Sequence, residues 1–445
     1  SETVFNAGTS EYISVAFDPN DSGKFVVCYQ DGGNSNYGTA IVGTVSGTSI
    51  SFGSEYVFNY GTFAISVAFD PNNAGKLVVC YRDESNSGSG TAIVGTISGT
   101  SISFGSKYVF SAGAITLYNS LAFDPNNAGK FVVCYMDFGN YYYGTAIVGT
   151  ISGTSISFGS EVVFNSASTY YISASFDPNN AGKFVVTYMD TSNSSYGVAI
   201  VGTVTGTNIS FGSEAVFQTT SITGTSVAFD PNNSGKFVVC YRDQDNSSVG
   251  MAIVGTVSGT SISFGSAVIY KQGICWYSRL AFDPNTAGQF VVCYHDQPNF
   301  GYGTAIVGTV SGTSISFGSE HVFNEAGSDH ILVTFDPNAA GKFVVCYRDV
   351  DNSGYGTAIV GQLAVQIVTT NLTSDNFIGT TTDAYADGET ATVTLQGGVS
   401  SNQTGLTAGS TYYVQADGTL ATTPSDPSVE VGKAVTPTTL LLKGL

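Results

Sequence analysis

Positive charge is scarce in this chain. Lysine and arginine number 14 against 33 aspartates and glutamates, a formal net charge of -19, and charged residues of both signs make up only 11% of the 445 positions. Such a field repels phosphate backbones and anionic lipid, and no basic arm or aromatic-basic motif offsets it, so nucleic acid is not expected as a partner. Long apolar runs are missing as well. The most apolar stretches, Phe131 to Tyr135 and Leu440 to Leu442, are strand-sized and fall far short of the roughly 18 residues of a membrane helix, so membrane insertion is not expected. Helical periodicity persists nowhere for three turns. The histidines His295, His321 and His330 lack metal-ligand spacing, and no nucleophile elbow, phosphate loop or dinucleotide fingerprint occurs, so an enzyme is not expected.

What the chain does contain is repetition. Phe-Asp-Pro-Asn recurs with its aspartate at 18, 70, 124, 177, 230, 283 and 336, separations of 52 to 54 residues. A period of this size filled with short strand-like runs marks a repeat architecture whose units bury their apolar faces only against one another. In the second repeat, Ala64 to Phe69 turns through Asp70-Pro-Asn-Asn-Ala-Gly75 into Lys76 to Asp83, followed by Gly90 to Ile97, a Ser98-Gly-Thr100 turn and Ser101 to Phe110. The pattern predicts four antiparallel strands joined by Asp-Pro type I turns and tight glycine turns. The second strand, as in Phe237-Val-Val-Cys-Tyr241, is apolar on both faces and must be covered on both.

The last repeat ends near Gly361 without its fourth strand, while Ser1-Glu-Thr-Val-Phe-Asn6 matches Ser54-Glu-Tyr-Val-Phe-Asn59. The start of the chain therefore completes the last sheet and hides two sheet edges. The expected fold is all-β: a seven-bladed β-propeller over residues 1–365, with the N-terminal strand closing the last blade, and a small β-rich domain over 366–445 for attachment or oligomerisation. In that second domain Thr411 to Gln415 followed by Asp417-Gly418 reads as a hairpin.

Cys28, Cys80, Cys134, Cys240, Cys293 and Cys346 occupy one slot of the repeat, too far apart for bridges, and read as buried reduced residues; Cys275 is the one candidate for reactivity. The aspartates before proline read as structural. A second series, Asp31, Asp83, Asp137, Asp190, Asp243, Asp296 and Asp349, opens Asn/Ser/Gly-rich loops and reads mainly as Asx turns, with calcium as the sharper alternative at Asp243, Asp245, Asp349 and Asp351. No other cofactor is expected.

Propeller connectivity puts the near-identical Asp-Pro-Asn and Ser-Gly-Thr turns on one rim and loops of varying length on the other. Aromatics gather on the variable rim: Tyr12, Tyr60, Phe63, Tyr118, Tyr142, Tyr171, Trp276, Tyr277, Tyr302 and Tyr355. Aromatic faces among Asn, Asp, Ser and Gln suit a saccharide, and the same rings could equally plug the blade ends. Singular acids there (Glu11, Glu84, Asp245, Glu325, Asp329, Asp351) form no pair that spacing picks out as hydrolytic.

The repeat Phe-Asp-Pro-Asn-x-x-Gly-Lys-Phe-Val-Val-Cys-Tyr, with Gly-Thr-Ala-Ile-Val-Gly-Thr-Val-Ser-Gly-Thr-Ser-Ile-Ser-Phe-Gly-Ser, resembles repeats in tail-fibre-like virion proteins of marine and cyanobacterial tailed phages. Gly405 to Leu420 with Val431-Gly-Lys-Ala434 is similar to terminal β modules of phage fibres. The resemblance implies a non-enzymatic, surface-displayed virion appendage, extracellular, whose C-terminal domain docks on other virion proteins or forms homo-oligomers. Its variable rim would bind a host-surface glycan or protein receptor. The alternatives are a structural decoration protein without a ligand and a glycoside hydrolase acting on host polysaccharide.

Overall fold

The structure, a computed structural model, describes residues 2–363, 379–381, 393–395, 397–401, 403–414, 419–424 and 429–443. The chain divides into two compact units, Ser1–Leu363 and Ala364–Leu445.

In the first unit each repeat forms an antiparallel four-stranded sheet. The fifth is representative: an inner strand Ile222–Phe229, a second strand Lys236–Asp243, a third Val249–Ser258, and an outer strand in two pieces, Ser261–Phe264 and Val268–Lys271. The Gly-Thr-Ala-Ile-Val-Gly run exists because aromatic rings lie on both of its glycines. A Cβ on Gly43 would come within 2.2 Å of the Phe25 ring, and one on Gly38 within 2.6 Å of Phe58.

Sheets stack on sheets through the second strands. Phe25, Val27 and Tyr29 pack into one cluster with Val344, Cys346 and Ala358 of the last repeat, whereas Val26 and Cys28 pack with Phe69, Leu77, Val79 and Tyr81 of the next. The alternation of a strand's side chains thus serves two interfaces at once, which is why Val-Val-Cys-Tyr is apolar throughout. All seven cysteines are free and buried.

The stack closes on itself. Thr3 pairs with Ala358, Val4 with Thr357, Asn6 with Gly356 and Thr9 with Tyr355, so the N-terminal strand is the outer strand of the last sheet. On the uniform rim each asparagine of Asp-Pro-Asn donates its side-chain N–H to the proline carbonyl of the following repeat at 3.1–3.3 Å: Asn20 to Pro71, Asn72 to Pro125, Asn126 to Pro178, Asn179 to Pro231, Asn232 to Pro284, Asn285 to Pro337, and finally Asn338 back to Pro19. The aspartates before proline serve the same joints. Asp18 accepts the amide of Gly75, Asp124 that of Gly182, Asp177 that of Gly235, and Asp336 that of Gly23, which crosses the closure. Their structural role is clear.

A polar bond repeats within the sheets as well. The buried hydroxyls of Tyr29, Tyr135 and Tyr188 donate to Glu55, Glu161 and Glu214, and Tyr347 donates at 2.7 Å to Glu2, so the chain's first turn supplies the last blade's acceptor. Where lysine (Lys107) or alanine (Ala267) replaces that glutamate, the hydroxyls of Tyr81 and Tyr241 have no partner.

In the second unit the described residues form a five-stranded sheet ordered Val399–Ser400, Thr439–Leu442, Glu430–Thr436, Thr411–Val414, Leu420–Ala421. Its core includes Leu406, Tyr412, Val414, Val429, Val431, Leu440 and Leu442. The expected hairpin is present, with Tyr413 opposite Ala421 and Val414 opposite Leu420, while its turn at 415–418 lies outside the described residues.

The tyrosine–glutamate bond yields a paired prediction. Glu2→Ala leaves a buried hydroxyl without an acceptor and is expected to cost about 1–3 kcal/mol, while Ala267→Glu supplies a missing one and is expected to add about 1 kcal/mol. Thermal and urea unfolding of the two variants measures both; a neutral Glu2→Ala would contradict the stabilising role of the Tyr347–Glu2 bond.

Candidate functional site

The inner strands converge on the propeller axis, and each carries the same irregularity. Pairing with the second strand slips between Glu11 and Ser14, Phe63 and Ser66, Tyr170 and Ser173, Thr223 and Ser226, Trp276 and Arg279, and Asp329 and Leu332, and opposite Cys134 and Met136 in the third repeat. At each slip sits a residue with left-handed backbone: Tyr12 (φ 48°), Ala64 (49°), Tyr118 (54°), Tyr171 (53°), Gly224 (65°), Tyr277 (51°) and His330 (49°). A bulge of this kind re-aims a side chain out of the strand's alternation. Glycine would adopt it without strain, and only Gly224 does. Four tyrosines and a histidine hold a conformation that costs an L-residue about 1–2 kcal/mol.

These residues surround an axial pocket of about 520 Å³, lined at equivalent positions of all seven inner strands. Tyr12, Tyr118, Tyr171, Trp276 and Tyr277 supply its aromatic surface, and Asn119, Thr223, Thr225, Arg242, Ser278, Arg279 and His330 its polar groups. The rings brace one another: Tyr118 and Tyr171 lie 5.3 Å apart, Tyr12 packs edge-on to Phe63 at 5.3 Å, and His330 sits between Tyr12 (5.6 Å) and Tyr277 (5.3 Å). Trp276 remains 43% exposed, with the Arg242 guanidinium 3.5 Å from its ring centroid.

Beside the pocket lies an ion network. Arg348 donates to Glu11 at 2.8 Å and to Asp329 at 2.6 Å, and His295 Nδ1 stands 3.3 Å from the second oxygen of Asp329. Burial alone would raise the Asp329 pKa, but the hydrogen bonds from His295 and Arg348 outweigh it and hold the carboxyl at about 2. His330 goes the other way for an imidazole: burial first, then the Arg348 charge, push it down to about 4. It is neutral at pH 7, consistent with Nδ1 accepting the Tyr12 amide at 3.3 Å.

Half of the aromatics expected on the variable rim meet at the axis, namely Tyr12, Tyr118, Tyr171, Trp276 and Tyr277, with Phe63 behind Tyr12. Four do not line the pocket. Tyr60 is 62% exposed and packs on Tyr37, Tyr142 packs on Phe138, Tyr302 on Phe300, and Tyr355 lies on the third strand of the last repeat. Rim position is set by the order of strands and loops, whereas distance from the axis depends on which strand a loop leaves, and these four sit by the third strands or outside the bulges. Cys275 lies in the pocket wall, and burial raises its thiol pKa, which disfavours the reactive thiolate.

The loop aspartates tie down their loops, except Asp296, which makes no cap bond and pairs with Lys271 instead. Asp31, Asp83, Asp137 and Asp190 accept amides two residues on. Asp243 accepts from Gln218 and Thr220, Asp245 from the Ser221 amide and Asp349 from the Asn352 amide. Among the described residues no three His, Cys, Asp or Glu side chains converge, so Asp243, Asp245, Asp349 and Asp351 do not gather into a calcium cage. Two wall residues escaped notice in the sequence: Arg242, and Arg279, which stands in the column held by Ser14, Ser66, Ser120, Ser173 and Ser226.

No family model and no curated protein matches this chain. Among solved structures it is similar to the BP39L lectin of Burkholderia pseudomallei, with TM-score 0.61 and 8% identity over 80% of this chain and 97% of that one. It is also similar to the periplasmic gluconolactonase PpgL of Pseudomonas aeruginosa, with TM-score 0.53 and 13% identity over 72% of this chain and 86% of that one. The protein is a β-propeller; identities this low speak to the fold alone.

His330 sets a pH dependence. Its folded pKa, about 4, lies below the ordinary imidazole value of 6.5, so the unfolded chain binds the extra proton and stability falls as pH drops through that window. His295, raised above its ordinary value by Asp329, Gln297 and Ser328 against the effect of burial, works in the opposite direction. The comparison with His330→Tyr, the residue at four equivalent positions, isolates the His330 share: wild type is expected to lose on the order of 2–3 kcal/mol more than the variant between pH 7 and pH 4, read by urea unfolding.

Proposed function

We propose that this protein is a non-enzymatic binding protein that takes a saccharide in the axial pocket. The observation that carries this reading is the ring of left-handed bulges: six of seven equivalent positions hold a non-glycine residue where glycine fits without strain, and five of the six put an aromatic or imidazole ring at the pocket. Strain kept at one site in repeat after repeat, with a concave aromatic surface as its product, is what saccharide stacking requires and what blade packing does not. The architecture accommodates such a role, since a lectin shares it.

The acids near the axis favour binding over hydrolysis. A glycoside hydrolase needs one carboxyl with a raised pKa to protonate the leaving oxygen, whereas Asp329 is kept ionised by Arg348 and His295. On the resemblance of its repeats to those of phage fibres, we propose further that the propeller is displayed on a virion surface, that residues 366–445 attach or oligomerise it, and that the host-surface ligand is a glycan. Several propellers on one particle would add weak contacts by avidity.

A glycan array with wild type, Trp276→Ala and Tyr118→Gly tests the reading. Wild type is expected to bind a subset of saccharides, and each variant to lose about tenfold or more in affinity, with Tyr118→Gly still folded because Gly224 occupies that slot naturally. Binding unaffected by either variant would remove the axial site, and release of reducing ends from a bound saccharide would overturn the non-enzymatic assignment.

A further inference from the structure

The chain has four arginines, Arg82, Arg242, Arg279 and Arg348, and every one of them lies at the axial end of the variable rim. Two are neutralised. Arg82 is paired with Glu84, and Arg348 with Glu11 and Asp329. The other two form part of the pocket wall without a carboxylate partner among the described residues. Arg242 is only 6% exposed; its Nε donates to Thr223 Oγ1 at 2.8 Å and its plane covers one side of Trp276. Arg279 donates one Nη1 bond, to the carbonyl of Ser278 at 2.9 Å. Each guanidinium has five N–H donors in a fixed fork.

A buried cation without a counter-charge is costly unless something supplies one. Here a buried one, Arg242, and a half-buried one, Arg279, share one cavity in a molecule of net charge -19. Neither is demanded by the repeat. The column of Arg279 holds serine in five repeats, and the serine of one repeat accepts an amide of the next, as Ser226 does from Leu280. The column of Arg242, in Tyr-x-Asp, holds methionine at Met136 and Met189. Arg279 therefore replaces a residue that would serve the fold as well, while the column of Arg242, which holds arginine also at Arg82 and Arg348, accepts an uncharged side chain; both arginines line the pocket that Trp276 lines.

We propose that the axial pocket selects a saccharide carrying one anionic group, a carboxylate or a sulfate, which Arg242 and Arg279 hold while the sugar ring lies against the aromatic wall. This rests on the saccharide reading above and narrows it. The fork of donors matches a planar carboxylate best, and a sulfate presents the same oxygens.

Isothermal titration of the full chain with three probes separates the cases: a galacturonic acid oligosaccharide or sialyllactose for carboxylate, a sulfated galactose oligosaccharide for sulfate, and lactose or a neutral galacto-oligosaccharide as the uncharged arm. At least one anionic probe is expected to bind about tenfold or more tighter than its neutral counterpart, and to weaken as salt is raised. Arg279→Ser and Arg242→Met, which restore residues of the other repeats, are expected to remove that preference while melting temperature and circular dichroism stay at the wild-type values. Whichever anionic arm binds tightest identifies the group. Binding of neutral probes as tight as anionic ones, or an anionic preference that survives both substitutions, overturns this inference and leaves the saccharide site standing. Failure of every probe to bind overturns both.

Discussion

Closure of the ring is the constraint from which everything else in the first unit follows. It is made by a strand near one end of the chain, pairing through Thr3 to Thr9 with the third strand of the last repeat, and by Asn338 and Asp336 reaching Pro19 and Gly23. Once seven similar sheets share one axis, residues 52 to 54 positions apart in sequence become neighbours in space. A column of the repeat becomes a ring. The column Tyr12, Ala64, Tyr118, Tyr171, Gly224, Tyr277, His330 has no significance along the chain and forms a wall at the axis.

The same closure separates two tasks. The uniform rim carries the joints, Asp-Pro-Asn bonds that hardly vary because each must fit the next repeat. The variable rim is free of that demand, and there the chain accepts strain and buried charge. Repeat six departs furthest from its siblings, with Tyr270, Lys271, Cys275, Trp276, Ser278 and Arg279 all in one stretch. These substitutions compensate one another locally. Lys271 is neutralised by Asp296 at 2.7 Å and Glu320 at 3.1 Å, and the Tyr270 hydroxyl donates to Ser278 at 2.7 Å. Arg279 is left without such compensation, which makes that sector the chemically distinct side of an otherwise aromatic ring.

Much of this architecture was legible in the sequence. The period, the doubly apolar second strands and the displaced Ser-Glu-x-Val-Phe-Asn ending identify sheets, stacking and closure, because each reflects backbone pairing that tolerates few alternatives. The site was legible only in part. That aromatics populate one rim follows from strand order, but nothing about Tyr12 or Tyr171 announces a left-handed bulge, since the pattern that reveals such a bulge is glycine and only Gly224 provides it. Tyr60, Tyr142, Tyr302 and Tyr355 shared the rim and the chemistry, and the sequence holds no measure of their distance from the axis. Arg279 was detectable in principle, as an arginine in a serine column, once the column is understood to face the neighbouring inner strand.

Trp276 is the chain's single tryptophan and stands in the pocket wall, so its emission reports on the axis alone. The axial saccharide site is tested most directly by following that emission while a saccharide is titrated. A saturable change in intensity and wavelength is expected, with a midpoint that coincides with the calorimetric dissociation constant. Heat of binding accompanied by an unchanged tryptophan spectrum would place the ligand elsewhere and contradict the axial site.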